Sequence, residues 1–97
     1  MINAVSILAK DNVIVAIENI IAKENICYRE GENIVKLIAK EDIVIYHKIA
    51  KENIKKGEYI IKYGEHIGIA RCNIEKGEHI HCHNVIEVRE NLKISDK

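Results

Sequence analysis

The run His79-Ile80-His81-Cys82-His83-Asn84 holds most of the acid–base and metal-binding chemistry open to this chain, with three of its five histidines. In an extended strand, alternate residues share a face. The three imidazoles would then project together, with Ile80 and Cys82 turned the other way. Side-by-side imidazoles repel when protonated, but neutral imidazole is a common metal ligand. The same spacing also describes an exposed strand face that is merely rich in His. A flat strand cannot bring three rings to one ion without twisting, so spacing alone leaves metal contact, substrate contact and plain surface open. Two further groups stand out. His47-Lys48 sets an imidazole beside an ammonium after a short apolar segment; by itself it also reads as part of a turn. Lys62-Tyr63-Gly64 places an amine and a phenol at a glycine turn, where both could donate to an anionic oxygen or act as acid or base. The plain alternative is a snorkelling lysine and a half-buried tyrosine. Asp11-Asn12 reads as a turn or cap, and Cys27, Cys72 and Cys82 as small buried hydrophobes. The sequence contains no P-loop, GxGxxG, serine elbow or HExxH.

The elements that must position these residues are strands. Ninety-seven residues suit one small domain. Its 21 Ile and 7 Val against 3 Leu favour pleated surfaces, where β-branched side chains pack well. A short phrase repeats: Asn53-Ile54-Lys55-Lys56-Gly57-Glu58-Tyr59-Ile60 returns as Asn73-Ile74-Glu75-Lys76-Gly77-Glu78-His79-Ile80, with six of eight positions identical. A weaker echo covers 19–26, with Lys23 in place of the glycine. Each phrase predicts an inward Ile, a polar Lys-Gly-Glu turn and a strand. Strands are expected at 13–17, 33–38, 43–45, 59–62, 66–70 and 79–85. Gly68 marks a bulge or a close backbone approach. Residues 16–23 read as strand then turn, with a turn or two of helix as the alternative, because Ile17, Ile20 and Ile21 follow helical spacing. The domain spans 1–88, and 89–97 form a polar tail.

Charge narrows the partners. Fifteen basic and fifteen acidic residues cancel, and Phe and Trp are absent. Nucleic acid, which calls for a cationic footprint and often aromatic stacking, is not an expected partner. No uncharged apolar run approaches the roughly 18–20 residues of a membrane-crossing helix, so no membrane role is expected. An odd number of cysteines with no CxxC pair suits reduced thiols in a cytoplasmic protein.

In order along the chain stand Asp11-Asn12-Val13, Val15-Ala16, Asp42 to His47-Lys48, a Lys-Gly-Glu turn, Ile61-Lys62-Tyr63-Gly64, Ile67-Gly68-x-Ala70, Gly77-Glu78 and His81-x-His83-Asn84. This series resembles the SAF domain of the altronate and galactarate dehydratase family, including the separate small subunits of its split members, sulfolactate sulfo-lyase among them. The likeness covers roughly residues 4–85. It departs where the family usually has Gly before His-Lys, here Tyr46, and at Lys23. His79 falls where the family varies, so no role is carried onto it. The resemblance implies an all-β, β-clip domain with short strands and little helix. It implies elimination of water or sulfite across C2 and C3 of a hydroxy acid. A base takes the proton beside the carboxylate, and a divalent metal, iron or manganese, stabilises the enediolate. A domain this small has no deep pocket to exclude water, so a large catalytic subunit is the implied partner and a sugar acid the implied substrate. By the same resemblance His81 and His83 are expected as catalytic residues and metal ligands, and Lys62 and Tyr63 as catalytic contacts to the carboxylate. His47, Lys48 and Asn84 are expected in substrate binding. The alternatives are a sulfo-lyase small subunit and a non-catalytic carbohydrate- or anion-binding module. Self-association of the isolated chain through a face meant for its partner stays open.

Overall fold

The computed structural model describes residues 1–87, so the expected tail at 89–97 lies outside the described residues. The all-β, β-clip expectation holds: nine short strands and no helix are present among the described residues. They are β1 (Ala4–Val5), β2 (Val13–Ala16), β3 (Asn25–Glu30), β4 (Asn33–Ile38), β5 (Lys48–Ala50), β6 (Tyr59–Lys62), β7 (Glu65–Ala70), β8 (His79–Ile80) and β9 (Val85–Glu87). All pairing between them is antiparallel. A central sheet runs β1-β2-β5-β8, the β3–β4 hairpin stands alone, and a third sheet runs β6-β7-β9.

The repeated phrase is the unit of construction, and it occurs four times rather than three. Residues 42–49, Asp42-Ile43-Val44-Ile45-Tyr46-His47-Lys48-Ile49, adopt the same turn as 19–26, 53–60 and 73–80. The fifth residue has positive φ in every copy: Lys23 at 78°, Tyr46 at 73°, Gly57 at 91° and Gly77 at 95°. The copies pair two by two. Ile20 bridges Ile43, and Ile54 bridges Ile74. Within each pair the leading Asn or Asp reaches across to its sister turn. Asn19 Oδ1 accepts from Ile45 N and Asp42 Oδ1 from Ala22 N, both at 2.8 Å. Asn53 Oδ1 accepts from Lys76 N at 2.8 Å, and Asn73 Oδ1 from Lys56 N at 2.9 Å. The result is two clasps built on one plan. Each has its own core, one around Ile14, Ile20, Ile26, Ile43 and Ile49, the other around Val13, Ile54, Ile60, Ile74 and Ile80. Successive residues of β2 and β5 face opposite ways, as a strand requires: Ile14 and Ile49 enter the first core, Val13 and Ala50 the second. The central sheet is therefore the wall between them.

Several local expectations change. The expected strand 43–45 is one bridge at Ile43 followed by a turn, and the strand there begins only at Lys48. The segment 79–85 is not continuous: β8 stops at Ile80, the chain turns, and β9 begins at Val85. Residues 17–23 contain no helix; Ile17 starts a bend, Ile20 forms its bridge and Ala22-Lys23 turn. Cys27 is buried as expected, but Cys72 and Cys82 are exposed because both sit in loops. Asp11 and Asn12 do more than cap, since both are buried. Gly68 is a point of close approach, where a β-carbon would collide with Val85 and the Ile86 carbonyl, while the register shift lies opposite, between Ile60 and Ile61.

Candidate functional site: a histidine cluster at a repeat turn

In three of the four repeats the sixth residue is Glu, and its carboxylate closes its own turn. Glu24 accepts from Ile21 N at 3.0 Å, Glu58 from Lys55 N at 2.9 Å and Glu78 from Glu75 N at 2.8 Å. In the remaining copy that position is His47. Its backbone keeps the turn, donating from N to the Val44 carbonyl at 3.0 Å. Its ring leaves the turn and meets His79, with Nδ1 and Nε2 2.8 Å apart. One imidazole donates and the other accepts, so the contact requires at least one neutral acceptor nitrogen. The stacked His81 ring lies 4.7 Å from that of His47 and 5.5 Å from that of His79, centroid to centroid. His47, His79 and His81 each offer a nitrogen within 4.8 Å of the others. A second group joins at His79, where Glu41 and His83 offer ligand atoms within the same distance. Glu41 is anchored by accepting from His79 N at 3.0 Å.

His79 is thus the hub of both constellations. Burial first, and then the neighbouring His47, His83 and His81, push its pKa below the usual imidazole value, against an opposing pull from Glu41. A neutral imidazole among other imidazoles is a donor set that fits a divalent transition metal, and Glu41 adds a carboxylate oxygen at one side. The two expected ligands come together around His79 but fall into different constellations, His81 with His47 and His83 with Glu41.

The loop that presents His81 and His83 is held by Asn84. Its Oδ1 accepts from His81 N at 3.0 Å and its Nδ2 donates to the His79 carbonyl at 2.8 Å. The side chain is buried. Asn84 therefore ties the backbone of His81 to that of His79, with both ends of its amide in use. Lys48, the first residue of β5, lines a shallow cleft of about 310 Å³ with Ile67, His81, Cys82, Val85 and Glu87. Burial, with the Lys62 ammonium second, pushes the Lys48 amine below its usual pKa. Two larger depressions, of about 540 and 510 Å³, lie towards the β3–β4 hairpin and include none of the expected site residues.

Lys62 and Tyr63 stand further out. Tyr63 and Gly64 form the two-residue hairpin turn between β6 and β7, with φ of 57° and 74°, the left-handed pair such hairpins favour. Asp11 fixes that turn. Its carboxylate accepts from Tyr63 N at 2.9 Å, Gly64 N at 2.8 Å and Leu8 N at 3.2 Å. Burial pushes the Asp11 pKa up, but these three bonds and the Lys51 charge outweigh it, and the net shift is downward. Lys62 Nζ sits 5.2 Å from the centre of the exposed Tyr63 ring. Among the described residues Tyr63 makes no ring contact or hydrogen bond with the imidazoles. Lys62 reaches the site through charge, at Lys48. Sequence reasoning missed Glu41 and set His79 aside. The alternation of His79 with His81 was the available signal for His79; nothing in the Lys40-Glu41-Asp42 run distinguishes Glu41.

Comparison with known proteins identifies the family of the domain. Residues 2–88 match the family described as the altronate/galactarate dehydratase SAF domain. Over 84 residues, 82% of this chain, it is 39% identical to an altronate dehydratase of Bacillus subtilis, and covers 15% of that protein. Over 93 residues, 96% of this chain, it is 33% identical to an altronate dehydratase of Escherichia coli, and covers 17% of that one. A third relative, subunit alpha of (2R)-sulfolactate sulfo-lyase from Paracoccus pantotrophus, is 47% identical over 49 residues, half of this chain and 73% of the relative. The chain thus corresponds to a small part of the dehydratases and to most of the sulfo-lyase subunit. It belongs to the altronate/galactarate dehydratase SAF domain family.

Proposed function

We propose that this chain is the small SAF component of a two-part hydroxy-acid lyase that removes water from a sugar acid such as altronate or galactarate. The observation that carries the proposal is the departure of His47 from the repeat. The one copy that lacks the turn-closing Glu is the copy whose side chain joins His79 and His81. A divalent metal, when bound, supplies a Lewis acid that stabilises negative charge on the substrate oxygens. His47, His79 and His81 would hold it, with Glu41 and His83 as the neighbouring donors. Burial and the neighbouring imidazoles, which push the His79 pKa down, favour the unprotonated ring with a lone pair to donate. The Lys48 and Lys62 amines lie on the same side and suit a substrate carboxylate, and Asn84 keeps His81 in place. The cleft is too open to exclude water alone, and a large catalytic polypeptide would close it.

The test is turnover by the two-part enzyme with His47, His79 and His81 replaced singly by Ala. A fall of about 100-fold or more in kcat is expected for each. Near-normal turnover in all three would remove the cluster from the mechanism. The coverage of sulfo-lyase subunit alpha supports a second reading, a small subunit of a sulfo-lyase. Release of sulfite from sulfolactate, with no dehydration of altronate or galactarate, would select it.

A further inference from the structure

The two clasps are an internal comparison. Both use the same turn, so positions that match by repeat occupy the same place in the fold. In each copy the Ile at position two faces the core, and position three, its neighbour, faces out. In the second clasp the position-three residues are Lys55 and Glu75, both exposed. In the first clasp they are Ile21 and Val44, left 62% and 53% exposed. Position four is Lys56 and Lys76 in the second clasp, Ala22 and Ile45 in the first. Position five is Gly57 and Gly77 in the second clasp; in the first it is the exposed Lys23 at φ 78° and Tyr46 at φ 73°, the latter with 73% of its surface exposed. A residue with a β-carbon in that region is strained by about 1 kcal/mol or more, and an exposed ring gains nothing from water in return. Tyr46 N donates to the Ala16 carbonyl at 2.7 Å, which lays it alongside the exposed Ile17. Of the positions matching Ile17, Lys40 lies in the first clasp too, while the second has Lys51, buried and paired with Glu30, and the exposed Arg71.

At positions three and four the same face is therefore charged in the second clasp and apolar in the first, where the exposed Lys23 and Lys40 stand at neighbouring positions. The turn itself does not require apolar residues, since the second clasp forms it with Lys and Glu. The apolar face borders the site, because Tyr46 directly precedes His47. Moreover, about five-sixths of each dehydratase relative has no counterpart in this chain. We propose that Ile17, Ile21, Val44 and Tyr46 form the docking face for the large lyase polypeptide, seating it against the open side of the histidine cluster. This inference rests on the two-part reading above and deepens it by placing the junction.

The experiment transplants the residues of the second clasp onto the first, as the double substitution I21K/V44E. The chain is purified with its partner from cells that make both, and the partner is identified by mass spectrometry as a lyase-family polypeptide. Affinity and turnover are then titrated with the partner. The variant should fold as the parent does by circular dichroism and lose affinity by about 30-fold or more. Its turnover should recover at saturating partner. I34K, on the β3–β4 hairpin, serves as control and should change affinity less than about threefold. A parent chain that captures no lyase polypeptide, or is inactive with it, overturns the two-part reading and this inference with it. An active parent complex whose affinity survives I21K/V44E overturns the docking face alone, as does an equal loss in I34K. A parent chain that dimerises by itself, turns monomeric in I21K/V44E and keeps its lyase affinity would assign the face to a second copy instead.

Discussion

Replacing His47 by Glu should make the protein more stable and less able to bind metal. The substitution restores the sixth residue of the repeat. In the three sister turns that Glu accepts a backbone N–H at 2.8–3.0 Å, and in the 42–49 copy the corresponding donor is Val44 N. One such bond contributes about 1 kcal/mol, and the lost contact between the half-buried His47 and His79 rings sets the net gain at up to about that figure. For a domain of this size the full gain raises Tm by about 4–8 °C. The same change removes a ring from the His47, His79 and His81 group. Melting curves with and without a divalent transition metal separate the two effects. At a concentration about 100-fold above its Kd, a metal adds about 2.7 kcal/mol to the parent. H47E should start higher and gain little. A variant that melts at or below the parent without metal would refute the reading of 42–49 as a repeat whose Glu was exchanged for a ligand. A variant stabilised by metal as strongly as the parent would refute the cluster.

Three further outcomes are expected. D11A, which strips three backbone donors of a buried carboxylate, should cost about 3–5 kcal/mol in urea unfolding. Because the folded state holds the Asp11 pKa down, the carboxylate contributes stability that is present above its unfolded value, near pH 4, and is lost as pH falls through the lower folded value; D11N should flatten that acid limb in midpoints measured from pH 5 to about 2. N84A should lower stability by about 2–3 kcal/mol through the loss of its bonds to His81 N and the His79 carbonyl, and should weaken metal binding in calorimetric titration by about tenfold or more. Two glycines equivalent by repeat should respond unequally: G57A meets open space and pays only for its positive φ, whereas in G77A the β-carbon also collides with the Ile38 carbonyl, so the G77A midpoint should fall further by about 2 kcal/mol or more.

Much of the fold is legible where a strand carries β-branched residues on its buried face. Residues 13–16 and 59–62 announce themselves in this way; 33–38 and 65–70 are rich in β-branched residues too, but the residues they bury are Leu37, Gly68 and Ala70. β3 does not announce itself, because Asn25, Arg29 and Glu30 mask Ile26 and Tyr28, whose burial comes from packing in the first core. The run 79–85 was misleading for a different reason. Alternation argues for one strand, but the Asn84 amide bonds back to residues three and five earlier and bends the chain. The repeat at 42–49 is hidden because Asp42, Tyr46 and His47 stand where the others have Asn, Gly or Lys, and Glu; bridge pairing and φ reveal it. His81, His83, Lys48 and His47 were legible as side-chain chemistry. Their grouping around His79 was not, since it depends on the antiparallel pairing of β5 with β8.

The sheet that walls one core from the other also explains how a turn could give up its Glu and its Gly. Ile14 and Val13 are neighbours on one strand yet belong to different interiors, so neither half can open without exposing a side of the other. A weakness at a single corner is thereby shared by the entire molecule instead of unfastening locally. Reactive groups can then occupy that corner in a chain of fewer than a hundred residues, because rigidity is supplied from behind.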